Sequence, residues 1–196
     1  AVRIVASIGE GLDHAQNATS SDGEPLHLVH RDVSPSNIIV GWGGAAKILD
    51  FGIAKVAAHR FQRNTEVGVV KGKVPYMSPE QLMDSKAVDA RSDLWSLGAV
   101  VYACATGTAP FPGEGIAELG LAVLHNRIRP PRSVAPDLSP ALDAFLMRAL
   151  HADPIQRFQS AHAFAEAFDA ALRAPAAVAL VTSTAVIERS AAAPPS

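Results

Sequence analysis

The sequence has almost no cysteine, no long apolar run and no strong net charge. Cys104 is its one cysteine, which excludes an intrachain disulfide framework and is typical of a reducing cytoplasm. No apolar stretch approaches the roughly 20 residues needed to span a bilayer. The net charge of −2 at pH 7 indicates neither a nucleic acid nor an anionic membrane surface as a partner. We therefore expect a cytoplasmic protein with no membrane span in this chain.

The start of the chain also lacks an initiator methionine and a charged-then-apolar leader. The first residue is Ala1, so we expect a fragment or a processed chain. The 196 residues are 48% hydrophobic and 18% charged. Such a chain can bury one sizeable core, and we predict a single domain.

The first third of the chain combines a helix with a small hairpin. Apolar residues at helical spacing predict a helix over residues 1–18. Two short apolar runs, 38–40 and 46–49, flank a glycine-rich turn and predict a β-hairpin. Residues 53–75 show no clear period, and so long an irregular segment in a compact domain is usually functional.

Helical patterns dominate after Pro79. Ser92 and Asp93 are predicted to cap a helix over 94–105 that has almost no polar face, so this helix should lie at the centre of the core. Cys104 lies on it and is expected to be a small core residue. Shorter helices are predicted over 116–125, from Ser139 to about His151, and from Ser160 to about Arg173. The predicted fold class is mainly α, an α+β arrangement with small hairpins.

Three oxygen-bearing side chains surround the predicted hairpin. Asp32 and Asn37 lie five residues apart before its first strand, and Asp50 follows its second strand. Because the hairpin folds back on itself, we expect Asp50 beside the other two. Carboxylate and amide oxygens suit Mg²⁺, which usually keeps substrate phosphates among its ligands. The pattern predicts a site that can hold a divalent cation together with phosphates.

The motifs around the hairpin are His30–Asn37 (HRDVSPSN) and residues 50–52 (DFG). Their order and spacing resemble the catalytic loop and metal-binding triplet of eukaryotic-like protein kinases, in the variant seen in many bacterial members. The resemblance covers residues 1–173, where residues 75–80 (PYMSPE) are similar to the motif that closes the family's activation segment. It implies a kinase-like carboxyl-terminal lobe over 1–173, and we predict that residues 174–196 are an Ala/Pro-rich tail or linker.

The resemblance implies phosphoryl transfer from Mg-ATP to serine or threonine hydroxyls of protein substrates. Asp32 would accept or orient the proton of the substrate hydroxyl. Asn37 and Asp50 would hold Mg²⁺ and, through it, the phosphates of ATP. These roles are those of the family's motif, transferred to the matching positions of this sequence.

Three further positions have implied structural roles. Asp93 would accept hydrogen bonds from main-chain donors of the catalytic loop. Glu80 and Arg157 would form a buried ion pair, and breaking one partner of such a pair costs roughly 3–5 kcal/mol. The alternative interpretation is that Glu80 and Arg157 are unrelated surface charges.

The sequence departs from the family pattern at two positions. The residue two after the catalytic aspartate is normally lysine, and here it is Ser34. The later loop normally reads Gly-Thr, and here it is Gly72-Lys73. One hypothesis is that hydroxyl and ammonium have exchanged places, so that Lys73 supplies the positive charge beside Asp32. In the alternative, Ser34 is a turn residue, Lys73 points to solvent and the chemistry is impaired.

The resemblance also implies a regulatory switch. Arg31 precedes Asp32, an arrangement typical of kinases that are activated by phosphorylation of the activation segment. Thr65 is the only hydroxyl residue between Gly52 and Tyr76. A phosphate on Thr65 would add roughly −1.5 to −2 charges and could order the segment through Arg31. Alternatively, Thr65 is unmodified and Arg31 only packs.

Parts of the family pattern do not occur in this sequence. The glycine-rich strand-turn-strand, the ATP-anchoring lysine and the helix glutamate that pairs with it would all precede Ala1. Residues 41–44 (GWGG) follow the catalytic loop and are no substitute. We therefore expect this chain by itself to bind ATP weakly and to transfer phosphate negligibly.

Two rival functions stay open. A small-molecule phosphotransferase also combines Asp and Asn five residues apart with a later metal-binding Asp, although Glu80, Asp93 and Arg157 favour the protein-directed branch. A pseudokinase or interaction module is favoured by the loss of lysine at Ser34. The retention of the three oxygen-bearing side chains disfavours it.

Overall fold

The computed structural model describes residues 2–50, 72–83 and 87–174. This part of the chain is mostly helical and contains one small antiparallel sheet, which confirms the predicted fold class. Its helices are α1 (Val2–Gln16), α2 (Pro79–Met83), α3 (Ala90–Thr106), α4 (Ile116–Leu124), α5 (Pro131–Val134), α6 (Pro140–Ala149) and α7 (Ala161–Arg173). The strands are β1 (Ile38–Val40) and β2 (Ala46–Ile48), and short 3₁₀ turns occupy Pro35–Asn37, Val74–Tyr76 and Pro154–Gln156.

The hairpin places the end of β2 beside the start of β1. Ile38 pairs with Ile48 in the antiparallel register. Beyond the strands, the N–H of Leu49 donates to the carbonyl of Asn37 at 2.8 Å. The tight turn requires a left-handed residue at Gly44, whose φ is +80°, a conformation that glycine adopts without steric cost. Leu49, the residue before Asp50, is therefore bonded to the main chain of Asn37.

Helix α3 runs through the centre of the core. Every residue from Ser92 to Tyr102 is buried, as the nearly complete lack of a polar face predicts. The helix ends at Gly107, which adopts the left-handed conformation common at helix C-termini. Its start differs from the prediction, because Asp89 is the N-cap and accepts a hydrogen bond from a main-chain N–H in the first turn. Ser92 and Asp93 lie inside the helix, and their side chains bind elsewhere.

Helix α6 packs against both α3 and α7, through small residues on the α3 side and aromatic residues on the α7 side. The ring centroid of Phe145 lies 4.9–5.3 Å from the ring centroids of Phe158, Phe164 and Phe168. A Cβ placed on Gly98 of α3 would lie 2.8 Å from the Cβ of Ala149 on α6. Glycine at this position lets the two helices approach closely.

The structure corrects the placement of the cysteine and leaves some predictions untested. Cys104 is exposed rather than in the core, because it lies near the end of α3, beyond the run of buried residues. Within the described ranges, no helix has both the length and the apolar character to cross a membrane. Residues 51–71, which include Thr65, and all but the first residue of the predicted tail 174–196 lie outside the described residues.

Candidate active site

Residues 30–37, which resemble the catalytic loop of the family and are called the catalytic loop below, are anchored to the core by a buried carboxylate. Asp93, on the first turns of α3, accepts the N–H of His30 at 2.7 Å and the N–H of Arg31 at 2.8 Å. Burial raises the pKa of Asp93 to about 7, while the two N–H donors act in the opposite direction. Because α3 is the most buried helix of the described part, its carboxylate gives the loop a rigid attachment.

His30 connects the loop to the end of the hairpin. Its imidazole is fully buried. The Nδ1 atom accepts the N–H of Asp32 at 3.3 Å, and the Nε2 atom lies 2.9 Å from the carbonyl of Leu49. Since Nδ1 accepts, the ring hydrogen lies on Nε2 and is donated to Leu49. The imidazole therefore joins the main chain of Asp32 to that of Leu49, the residue before Asp50.

Asn37 is bound to the main chain of Asp32. Its Nδ2 donates to the carbonyl of Asp32 at 2.7 Å, so its Oδ1 is the side-chain atom with acceptor capacity for a cation. Asp50 is exposed and follows Leu49, whose N–H is bonded to the carbonyl of Asn37. An amide oxygen and a carboxylate are the hard donors that Mg²⁺ prefers. The donor set of Asn37 and Asp50 thus fits a magnesium ion.

Lys73 brings a positive charge to the catalytic loop from a later segment. Its Nζ lies 2.7 Å from Oδ2 of Asp32, and the two side chains are 21% and 11% exposed. Lys73 directly precedes the 3₁₀ turn of Val74–Tyr76, whose residues Val74 and Pro75 are buried. The ammonium therefore does not point into solvent.

The side chain of Ser34 is buried and contacts Ser36. It is 2% exposed, and its hydroxyl lies 3.0 Å from the hydroxyl of Ser36. In the described residues, the cation beside Asp32 is thus Lys73 of the later segment, while the loop position after Val33 carries a buried hydroxyl.

Glu80 and Arg157 form a bidentate ion pair below this segment. Nη1 of Arg157 lies 2.7 Å from Oε1 of Glu80, and Nη2 lies 2.9 Å from Oε2. The Arg157 side chain is fully buried, and it also donates to the carbonyls of His151 and Ala152. Burial alone would raise the pKa of Glu80, but the hydrogen bonds from Arg157 and Ser92 outweigh it and lower that pKa. The pair ties the start of α2 to the turn before α7.

Two residues of the site were missed from the sequence. Ser92 donates to Oε1 of Glu80 at 2.6 Å, and no local pattern indicates this contact. Gln81 donates from Nε2 to the carbonyl of Arg31 at 2.9 Å and accepts the N–H of Ser78 on Oε1 at 2.9 Å. The Ser78-x-x-Gln81 spacing is that of a capping box, which was a usable signal for the second residue.

Comparison with known proteins places this geometry in a family. The sequence model of the family described as protein kinase domain matches residues 1–168 of this chain. The chain belongs to the protein kinase family. Its relatives include the tyrosine-protein kinase MasK of Myxococcus xanthus, 41% identical over 168 residues that make up 86% of this chain and 26% of that protein.

Two other bacterial kinases show similar identity. The serine/threonine-protein kinase PknB of Mycolicibacterium smegmatis is 40% identical over 68% of this chain, and Pkn1 of Myxococcus xanthus, also a serine/threonine-protein kinase, is 42% identical over 74%. The match spans 21% of the length of each of these two kinases. The resemblance to bacterial protein kinases is thereby confirmed, and the helices with their hairpin have the form of the kinase carboxyl-terminal lobe.

Proposed function

We propose that the full-length kinase transfers the phosphoryl group of Mg-ATP to serine or threonine hydroxyls of proteins. Family membership supports phosphoryl transfer to proteins. Two of the three relatives described above are named serine/threonine kinases and one is named a tyrosine kinase, so the choice of hydroxyl is part of the proposal. The observation that carries it is the 2.7 Å hydrogen bond from Asn37 to the carbonyl of Asp32, since it joins the proposed proton acceptor to a proposed metal ligand.

Asp32 is proposed to accept or orient the proton of the attacking hydroxyl. Its main chain is fixed by His30 and by Asn37, and its carboxylate is fixed by Lys73. Fixed groups of this kind suit a reaction in which positioning and charge neutralisation provide most of the catalysis.

Asn37 and Asp50 are the residues that would hold Mg²⁺. When bound, the ion would neutralise charge on the phosphates of ATP. The hydrogen bond between Leu49 and Asn37 keeps the two residues at one end of the hairpin. Asn37 is itself oriented, because its Nδ2 is committed to the carbonyl of Asp32.

Lys73 is proposed to replace the lysine that is absent at Ser34. The contact of 2.7 Å with Asp32 supports this role, because a cation in a partly dehydrated site stabilises nearby anionic groups more strongly than it would in water. The exposed fraction of 21% for its side chain supports it as well, since a freely solvated lysine would be largely exposed.

Arg31 and Thr65 are proposed as a regulatory pair. Arg31 lies in the loop that contains Asp32, and Asp93 and Gln81 hold its main chain. A phosphate on Thr65 would add charge that a guanidinium can bind. Mass spectrometry of the active full-length protein tests this, and an active enzyme without phosphate on Thr65 would contradict it.

The test of the proposed function is an assay of the full-length protein with Mg-ATP and a protein substrate rich in hydroxyl residues. We expect phosphoserine or phosphothreonine in the product and at least about a 100-fold lower kcat for Asp32→Asn, the range of general base contributions. Asp137→Asn, an exposed aspartate, is the matched control and should retain full activity.

Nucleotide binding without transfer would instead favour a pseudokinase, and transfer only to small molecules would favour the rival enzyme class. The 196-residue chain, assayed in parallel, should transfer phosphate negligibly. Robust turnover of that chain would contradict this expectation.

A further inference from the structure

Gln81 connects α2 to the catalytic loop through both ends of its side-chain amide. The Nε2 donates to the carbonyl of Arg31, and the Oε1 accepts the N–H of Ser78, each at 2.9 Å. We propose that Gln81 is a positioning residue that sets the orientation of Asp32. The inference rests on the proposed function, because it assigns Gln81 a part in placing the group that would meet the substrate hydroxyl.

The peptide group between Arg31 and Asp32 is held at both of its polar atoms. Its oxygen accepts from Gln81, and its N–H donates to Nδ1 of His30 at 3.3 Å. The peptide group that follows Asp32 is held as well, because its oxygen accepts from Asn37 at 2.7 Å. Each peptide group is planar, so these two planes determine the direction of the Cα–Cβ bond of Asp32. The Gln81 contact therefore acts on the direction in which the carboxylate points.

Arg31 needs support from both sides. Its φ is +62°, in the left-handed region that is unfavourable for a residue with a Cβ. Asp93 binds its N–H at 2.8 Å and Gln81 binds its carbonyl at 2.9 Å. Removing the Gln81 donor would leave one of the two main-chain contacts that hold this conformation.

The same segment contacts Asp32 at a second point. Lys73 and Gln81 both belong to residues 72–83, and Lys73 lies 2.7 Å from the Asp32 carboxylate. The ion pair of Glu80 with Arg157 fixes this segment to the core. Main chain and side chain of the catalytic aspartate are therefore positioned from one anchored segment.

A purely local role for Gln81 would be that of a helix cap. In a capping box, the side chain of the serine accepts an N–H and the later side chain returns an acceptor oxygen. Here Ser78 Oγ accepts the N–H of Gln81 at 3.4 Å, and Gln81 Oε1 accepts the N–H of Ser78. A glutamate would provide the same cap. The Nε2 donor to Arg31 is additional to it, so the two roles can be separated by substitution.

The test compares four forms of the full-length kinase: the wild type, Gln81→Glu, Gln81→Met and Ser78→Ala. Gln81→Glu keeps the cap and removes the donor to Arg31, while Gln81→Met removes that donor without adding charge. Both should lower kcat by about tenfold and leave KM for ATP and for the protein substrate within twofold, because small misplacements of a reacting group can cost up to about 100-fold. Ser78→Ala loses the serine half of the cap and should keep kcat within twofold.

Hydrogen–deuterium exchange of the same proteins gives a readout independent of activity. We expect faster exchange at residues 30–33 in both Gln81 variants, with unchanged exchange in α3 and α7. A merely structural role would raise exchange throughout the domain.

Three results would each overturn the proposal. The first is an unchanged kcat in the Gln81 variants, and the second is an equal loss of kcat in Ser78→Ala. The third is unfolding of both Gln81 variants while Ser78→Ala stays folded. A wild type without transfer activity would contradict the proposed function instead, and the exchange data would still decide whether Gln81 holds the loop.

Discussion

The catalytic loop meets a carboxylate on its inner side and an ammonium on its outer side. On the inner side, Asp93 is 4% exposed and binds two main-chain N–H groups. On the outer side, Asp32 and Lys73 are 11% and 21% exposed and bind each other through their side chains. The inner contact comes from α3, the most buried helix of the described part. Because Asp93 binds main-chain N–H groups, this contact does not depend on the side chains of the loop. The outer contact depends on where residues 72–83 lie, so the geometry of the proposed chemistry depends on that segment.

The largest expected effect comes from removing the anchor of the outer segment. Arg157→Met should lower the free energy of unfolding by about 3–5 kcal/mol, because it leaves the partly buried carboxylate of Glu80 without its charged partner. Urea unfolding followed by circular dichroism measures this. Arg173→Met is the matched control, since Arg173 pairs with Asp169 at a 78% exposed position and such pairs contribute at most about 1 kcal/mol. If both variants lost the same free energy of unfolding, the buried pair of Glu80 and Arg157 would contribute no more than the exposed pair of Asp169 and Arg173, which would contradict this prediction.

A smaller effect is expected from exchanging the charge on the outer side. Lys73→Thr in the full-length kinase should lower turnover by more than about tenfold, equivalent to at least about 1.4 kcal/mol in the activation barrier. Adding Ser34→Lys should recover it, because the new ammonium would approach Asp32 from the catalytic loop. Lys47→Thr, at an exposed position of β2, should change nothing. If the turnover of Lys73→Thr were unchanged, the hypothesis that Lys73 replaces the lysine absent at Ser34 would be rejected.

The smallest change, counted per pH unit, is expected from the titration of the inner carboxylate. Burial raises the pKa of Asp93 from 3.8 to about 7, so the folded protein binds this proton more tightly than the unfolded chain does. The resulting stabilisation is complete below about pH 4 and is lost as the pH rises to about 7, with a slope of at most about 1.4 kcal/mol per pH unit. The difference in free energy of unfolding between wild type and Asp93→Asn should therefore fall over this range. A difference that rises with pH would contradict the assignment.

Much of the fold was predictable because the patterns behind it are local. The hairpin follows from two short apolar runs around glycines, and the central helix follows from a stretch with no polar face. The start of that helix was not predicted correctly. Asp89, Ser92 and Asp93 are all suitable caps, and the choice depended on which side chains were needed by Glu80 and by the catalytic loop.

The prediction that Cys104 is buried in the core was wrong for a related reason. Helical periodicity places a residue on a face, but it does not say where the helix leaves the core. Gln81 was missed because its amide contacts Arg31 across 50 residues of sequence. Its capping spacing was visible, whereas the second hydrogen bond requires a fold that brings α2 to the loop.

The sequence by itself determined the order of the motifs, the hairpin that returns Asp50 towards Asn37 and the membership of the protein kinase family. These properties depend on spacing along the chain, which folding does not alter. Only the tertiary structure decided that Lys73 lies against Asp32 and that Gln81 holds the carbonyl of Arg31. Both contacts join separate segments, and they exist because the buried pair of Glu80 and Arg157 and the buried carboxylate of Asp93 fix those segments to one core.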